Sequence, residues 1–126
     1  INFGYFMKYL VLLIMFTLSS LTSFASETKE ESKSQTKDTL VVIDVRTLAE
    51  YNAGHVENAL NIPLQVISRK IDDLELEKDT PIALYCRSGN RSGIANSMLK
   101  SKGYENSQNY GGLRQAKDKL DRKVVK

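Results

Sequence analysis

The sequence predicts an α/β fold, a small parallel sheet with helices on both faces, and three observations point to it. Two short runs, Leu40–Ile43, rich in β-branched residues, and Ile82–Tyr85, are continuously apolar, the pattern of strands buried on both faces. Between and after them, apolar residues recur at helical spacing. Strands that alternate with helices imply parallel pairing through crossovers.

The chain has 126 residues, about one domain's worth, with 41% apolar, 26% charged and 8% aromatic residues. That composition suits a folded domain rather than a disordered one. The net charge of +3 is too small to imply a nucleic-acid partner, and the six tyrosines form no stacking pattern. One cysteine and one histidine exclude an internal disulfide and a Cys/His zinc site.

The first segment does not read as part of the domain. After Met7 and Lys8 comes the apolar run Tyr9–Phe16, and no charge follows until Glu27. One positive charge, a short apolar core and small residues at Ser23 and Ala25 make a secretory signal pattern, with cleavage expected after Ala25. The run falls short of the roughly 20 residues of a comfortable membrane span, so stable insertion is not expected once the leader is cleaved. Retention as an anchor stays open. Residues 1–6 precede the methionine that would start such a leader and are left uninterpreted. Residues 26–38 contain no large apolar side chain and read as a polar linker. The domain is therefore expected over 39–126, in an exported or periplasmic setting.

Within it, Leu40–Ile43 is the first strand. Thr47 to Ala53 reads as a short helix that Gly54 can terminate. Ala59–Ile62 is a weaker strand. Val66, Ile67, Ile71 and Leu74 mark a helix, then Pro81 opens the strand Ile82–Tyr85. Ile94, Ala95, Met98 and Leu99 mark the next helix, stopped by Gly103. Ser107–Tyr110 is a weak strand, and Leu113, Ala116 and Leu120 form a last stripe. The tail after Leu113, with six Lys/Arg against two Asp, reads as a solvated helix face with a frayed end.

Sites in such folds form where strands end and loops lead into helices. Cys86-Arg87-Ser88-Gly89-Asn90-Arg91-Ser92 occupies that position. A short loop rich in Gly, Ser and Asn can turn successive N–H groups toward one point and form an anion cradle with the helix N-terminus. The same field lowers a thiol pKa and favours the nucleophilic thiolate. Arg87 and Arg91 add charges suited to an oxyanion. A lone cysteine can instead be a small core residue, but Arg87, Gly89, Arg91 and Gly93 around it are poor core material.

This loop, with Ile43-Asp-Val-Arg-Thr-Leu-Ala-Glu-Tyr-Asn-Ala-Gly-His-Val56 and Ala59-Leu-Asn-Ile-Pro-Leu64 before it and Gly111-Gly112-Leu113 after it, resembles the rhodanese (thiosulfate sulfurtransferase) family. The resemblance spans about residues 40–120. In its short form with an export signal it is most similar to the small periplasmic single-domain rhodaneses of the phage-shock response. The resemblance implies a rhodanese-like single domain and an enzyme that moves sulfane sulfur through a Cys86 persulfide. The donor would be a small anionic sulfur compound, thiosulfate or a polysulfide, and the acceptor external, such as cyanide, a thiol or a protein thiol. No cofactor and no metal are implied. Arg87 through Ser92 would bind the substrate. Asp44, Arg46, Glu50 and His55 would support the site, with Asp44 and Arg46 in buried hydrogen bonds or ion pairs, such as with Glu50 or His55. The family's phosphatase and arsenate reductase relatives place five residues between Cys and Arg, whereas four separate Cys86 from Arg91, and this argues for sulfur over phosphate. Glu57-Asn58 replaces the family's usual Pro-Gly, a substitution an Asn can accommodate at positive φ. Two rivals remain: a non-catalytic docking module, and a persulfide carrier or redox-sensing thiol fed by polysulfide.

Overall fold

A computed structural model describes residues 39–126. The expected leader, cleavage site and linker lie outside the described residues. Strands β1 (Val41–Asp44), β3 (Leu60–Asn61), β4 (Ile82–Cys86) and β5 (Ser107–Gly112) form a parallel sheet in the order β3-β1-β4-β5. Helices α1 (Leu48–Ala53), α2 (Leu64–Asp73), α3 (Asn90–Ser101) and α4 (Leu113–Leu120) connect or follow them. Among the described residues, no helix is long and apolar enough to cross a membrane.

The period-two alternation of a strand sorts its side chains between two cores. Ile43 of β1 and Ile82, Leu84 and Cys86 of β4 face one core, closed by Ile67 and Ile71 of α2 and Ala95 and Leu99 of α3. Val42, Ala83 and Tyr85 face the other, under Ala116 of α4 with Leu113 and Leu120 beside it. Helices thus cover both faces. Ile67 and Ile71 are fully buried, and each such side chain contributes about 1.5–3 kcal/mol by leaving water.

Three local features differ from the sequence pattern. On α3 the buried positions are Ser92, Ala95 and Leu99, while Ile94 and Met98 are exposed. The inward stripe is rotated because the helix begins at the Cys86 loop and turns Ser92 toward it. The glycines Gly111 and Gly112 belong to β5 itself, which runs two residues past the Tyr110 at which the expected strand stops. The basic tail is not merely a frayed helix end: Val124–Val125 forms β6, antiparallel to β2 (His55–Val56). In place of the family's Pro-Gly, Asn58 holds φ at 63°, so the asparagine supplies the left-handed turn.

Candidate functional site

β4 is buried along its whole length and delivers Cys86 to the carboxyl edge of the sheet. The next residues turn sharply through Gly89, at φ 100°, into α3. A non-glycine residue is strained there. The Gly89 N–H donates to Cys86 Sγ at 3.0 Å, and Ser92 Oγ lies 3.4 Å from the same sulfur. Burial pushes the thiol pKa up, but the Ser92 hydroxyl and the N–H groups of Ser92, Ser88 and Gly89 outweigh it and bring it down to about 7. The loop thus forms the expected cradle, with Ser88, Gly89 and Ser92 as its donors.

The wall of the cradle is the end of β5. Between Leu84/Asn109 and Cys86/Gly112 the register shifts, giving β5 an extra residue, a bulge of the kind that re-aims side chains beside functional sites. The loop lies so close that a Cβ on Gly112 would sit 2.5 Å from the Arg87 carbonyl oxygen. This close approach accounts for a glycine at that position.

Arg91 and Glu50 meet in a two-pronged ion pair, each terminal guanidinium nitrogen donating to a carboxylate oxygen at 2.8 Å. Glu50 also closes the N-terminus of α1, accepting from Thr47 N–H at 3.0 Å while its own N–H donates to Thr47 Oγ1. The Arg91 guanidinium, with help from Thr47, holds the Glu50 carboxyl far below the usual carboxylate range. Glu50 therefore binds neither Asp44 nor Arg46. Arg87 is exposed, and no ion pair or hydrogen bond engages its side chain among the described residues. It lines a cleft of about 550 Å³ with Leu113, Arg114, Lys117, Asp118 and Val124, three cations against one carboxylate. Asn90 is exposed at the first position of α3.

Beneath the loop, Asp44 and Arg46 pair with each other. Arg46 Nη2 donates to Asp44 Oδ2 at 2.6 Å and to the Gly54 carbonyl at 2.7 Å, with side-chain exposures of 8% for Arg46 and 0% for Asp44. Arg46 also lies over the Tyr85 ring, 5.6 Å from its centroid. His55 belongs to neither group: its Nδ1–H donates to the Tyr51 carbonyl at 2.9 Å and its ring stacks on Tyr51 at 3.6 Å. It braces α1 against β2 and makes no contact with Cys86.

The sequence reading missed Asn109 and Asn61. Asn109 joins the end of β5 to Gly89 and Ser92, and its signal was a polar residue two places before Gly-Gly. Asn61 donates to the carbonyls of Asp44 and Arg46 at 3.1 and 3.0 Å, fixing the chain after β1. Among the described residues, no cluster of three or more His, Cys, Asp or Glu side chains is placed to hold a metal ion.

The chain matches the Rhodanese-like domain family over residues 25–119. It is 38% identical over 72 residues to the thiosulfate sulfurtransferase PspE of Escherichia coli K12, a match covering 57% of this chain and 69% of that protein. A sulfurtransferase of Allochromatium vinosum is 37% identical over 87 residues, 69% of this chain and 78% of the relative. A solved structure described as a rhodanese with anions from E. coli superposes with a TM-score of 0.63 at 33% identity, covering 70% of this chain and 99% of the other. The cysteine loop at the end of a buried parallel strand, the bulged glycine strand beside it and these matches agree: the chain belongs to the rhodanese-like domain family, as a sulfurtransferase.

Proposed function

We propose that Cys86 is the catalytic residue and carries sulfane sulfur as a persulfide. The observation that carries this reading is the Gly89 N–H donating to a buried sulfur whose pKa lies near 7. The Cys86 thiolate attacks the outer sulfur of thiosulfate, the S–S bond of the donor breaks, and sulfite leaves with the electron pair. A thiophilic acceptor then attacks the outer persulfide sulfur, and the Cys86 thiolate is released with its electron pair. The N–H groups of Ser88, Gly89 and Ser92 stabilise the negative sulfur in both states. Arg87 draws in the anionic donor from the cleft side. Arg91, fixed by Glu50, supplies a charge beside the sulfur, and Asn90 lines the mouth of the loop. Asp44, Arg46, Glu50 and His55 hold the frame and do not touch the substrate.

The single cysteine of the sequence leaves no second thiol in this chain to discharge the persulfide, so the acceptor is external: cyanide in an assay, a small thiol or a protein thiol in use. The likeness to PspE, a thiosulfate sulfurtransferase, supports thiosulfate as donor. We further infer that residues 1–25 are a cleaved export signal and 26–38 a linker to a domain of 39–126 working outside the cytoplasm; the support is the pattern of Lys8, the apolar run and Ser23/Ala25.

Thiocyanate formation from thiosulfate and cyanide tests the reading. The parent should turn over and Cys86→Ser should not. Hydrolysis of p-nitrophenyl phosphate at a comparable rate, with no thiocyanate, would transfer the site to phosphate chemistry.

A further inference from the structure

The Asn109 amide is held at three points. Its Oδ1 accepts from the Gly111 N–H at 2.9 Å and from the Ser92 hydroxyl at 2.7 Å, while its Nδ2 donates to the Gly89 carbonyl at 3.0 Å. These partners leave the amide one orientation, because the Gly89 carbonyl can only accept and the Gly111 N–H can only donate. The Gly111 N–H falls in the bulge of β5, and the Asn109 side chain supplies its acceptor.

Gly89 and Ser92 are also the two residues whose N–H and hydroxyl approach Cys86 Sγ, at 3.0 and 3.4 Å. One side chain on β5 therefore grips two of the three donor residues of the sulfur cradle from outside the loop. We propose that Asn109 is a positioning residue for the Cys86 sulfur, acting through Gly89 and Ser92. The inference rests on Cys86 being the reacting sulfur, but its test needs no sulfur transfer.

The Ser92 hydroxyl has one proton and four acceptors within reach: Asn109 Oδ1 at 2.7 Å, the Gly89 carbonyl at 3.2 Å, and the sulfur and the Gly111 carbonyl, each at 3.4 Å. With a neutral thiol the hydroxyl points its proton at Asn109 Oδ1, the nearest of these acceptors. When the sulfur is negative, the hydroxyl can turn to it at little cost, since Oδ1 keeps the Gly111 N–H. Asn109 thus stores the hydroxyl beside the sulfur and fixes the Gly89 turn that aims the N–H. The charged groups around the sulfur are Arg87 on the loop, Arg91 of α3 with Glu50 of α1, and Asp44 with Arg46 at the end of β1. Arg114, Lys117 and Asp118 of α4 share the cleft with Arg87. Replacing Asn109 by Ala leaves all of these charges in place.

The test is the pH profile of Cys86 alkylation by iodoacetamide in the full chain, over roughly pH 5 to 10, run beside thermal melting. Asn109→Ala should titrate about one unit above the parent, react about fivefold more slowly at pH 7 and reach the parent's rate on the alkaline plateau. Asn109→Ser loses the amide donor to Gly89 without adding a charge, and it should shift in the same direction. If Asn109→Ala does not fold, this neutral Ser variant decides by the same criteria. A lower melting temperature with an unmoved pH profile would overturn the proposal, leaving Asn109 a brace of the fold alone. A profile shifted to lower pH would also overturn it, because Asn109 would then be withholding the Ser92 proton from the sulfur. A parent that alkylates with its titration near 7 but takes up no sulfur would sink the proposed function and leave the Asn109 result readable.

Discussion

Glu50 and Arg91 stand 41 positions apart in the chain and meet edge to edge, with both terminal nitrogens of the guanidinium on the carboxylate at 2.8 Å. The pair joins the first helix to the cysteine loop and decides what Arg91 can offer a substrate: a fixed charge beside the sulfur, with its two-pronged edge already occupied. Arg91→Ala removes the charge and leaves a carboxylate facing the loop without its cation. Loading by an anionic sulfur donor should fall at least about tenfold, the effect of about 1.4 kcal/mol. Glu50→Gln leaves the cation and should change loading less than about threefold, while weakening the cap of α1 by about 1 kcal/mol. Stopped-flow loading and urea denaturation of both variants separate the two effects. Equal loss of loading in both would show that Arg91 acts only as a tie.

The thiol titrating at about 7 sets the pH dependence. The reactive form is the thiolate, so reactivity rises as pH passes upward through 7 and levels off above it. At pH 7 about half the sulfur is ionised, against a few per cent for an ordinary thiol near 8.5. Ser92→Ala removes the hydroxyl 3.4 Å from the sulfur and should move the alkylation midpoint upward. A midpoint unchanged in that variant would mean that the backbone N–H groups suffice.

Gly112→Ala tests the close approach of loop and strand. Its Cβ would meet the Arg87 carbonyl oxygen at 2.5 Å, and both atoms belong to or sit on backbone, so one chain must move. The cost should be about 1–3 kcal/mol, as for other overpacked sites, and Cys86 alkylation at neutral pH should slow with it. Retained parent stability and reactivity would show that the loop yields without disturbing the cradle.

Asp44 and Arg46 form a pair with side-chain exposures of 0% and 8%. Removing one partner strands a buried charge, so Asp44→Ala and Arg46→Ala should each lose about 3–5 kcal/mol in denaturant titration. A loss below about 1 kcal/mol would show that water reaches the remaining group.

The strands β1 and β4 were legible because burial on both faces forces an unbroken apolar run, and that run placed Cys86 at the sheet's carboxyl edge. The two-residue strands β2 and β6 were not, since His55–Val56 and Val124–Val125 acquire meaning only when distant segments meet. Ile94 and Met98 misled for a related reason. Their spacing suits a helix, but α3 turns the polar Ser92 inward beside the sulfur and leaves them exposed. Local pattern and tertiary placement part where a site needs a buried hydroxyl. The loop itself was legible by composition. Its supports were legible only in part: Glu50 was expected among them but not its reach to Arg91 across the fold, and Asn109 looked like an ordinary residue of a weak strand.

Sulfur transfer through Cys86 is tested by intact mass of the purified protein after incubation with thiosulfate. The parent should gain one sulfur atom and lose it on adding cyanide, and Cys86→Ser should gain none. No gain on the parent with thiosulfate or polysulfide, under conditions where Cys86 alkylates normally, would contradict it.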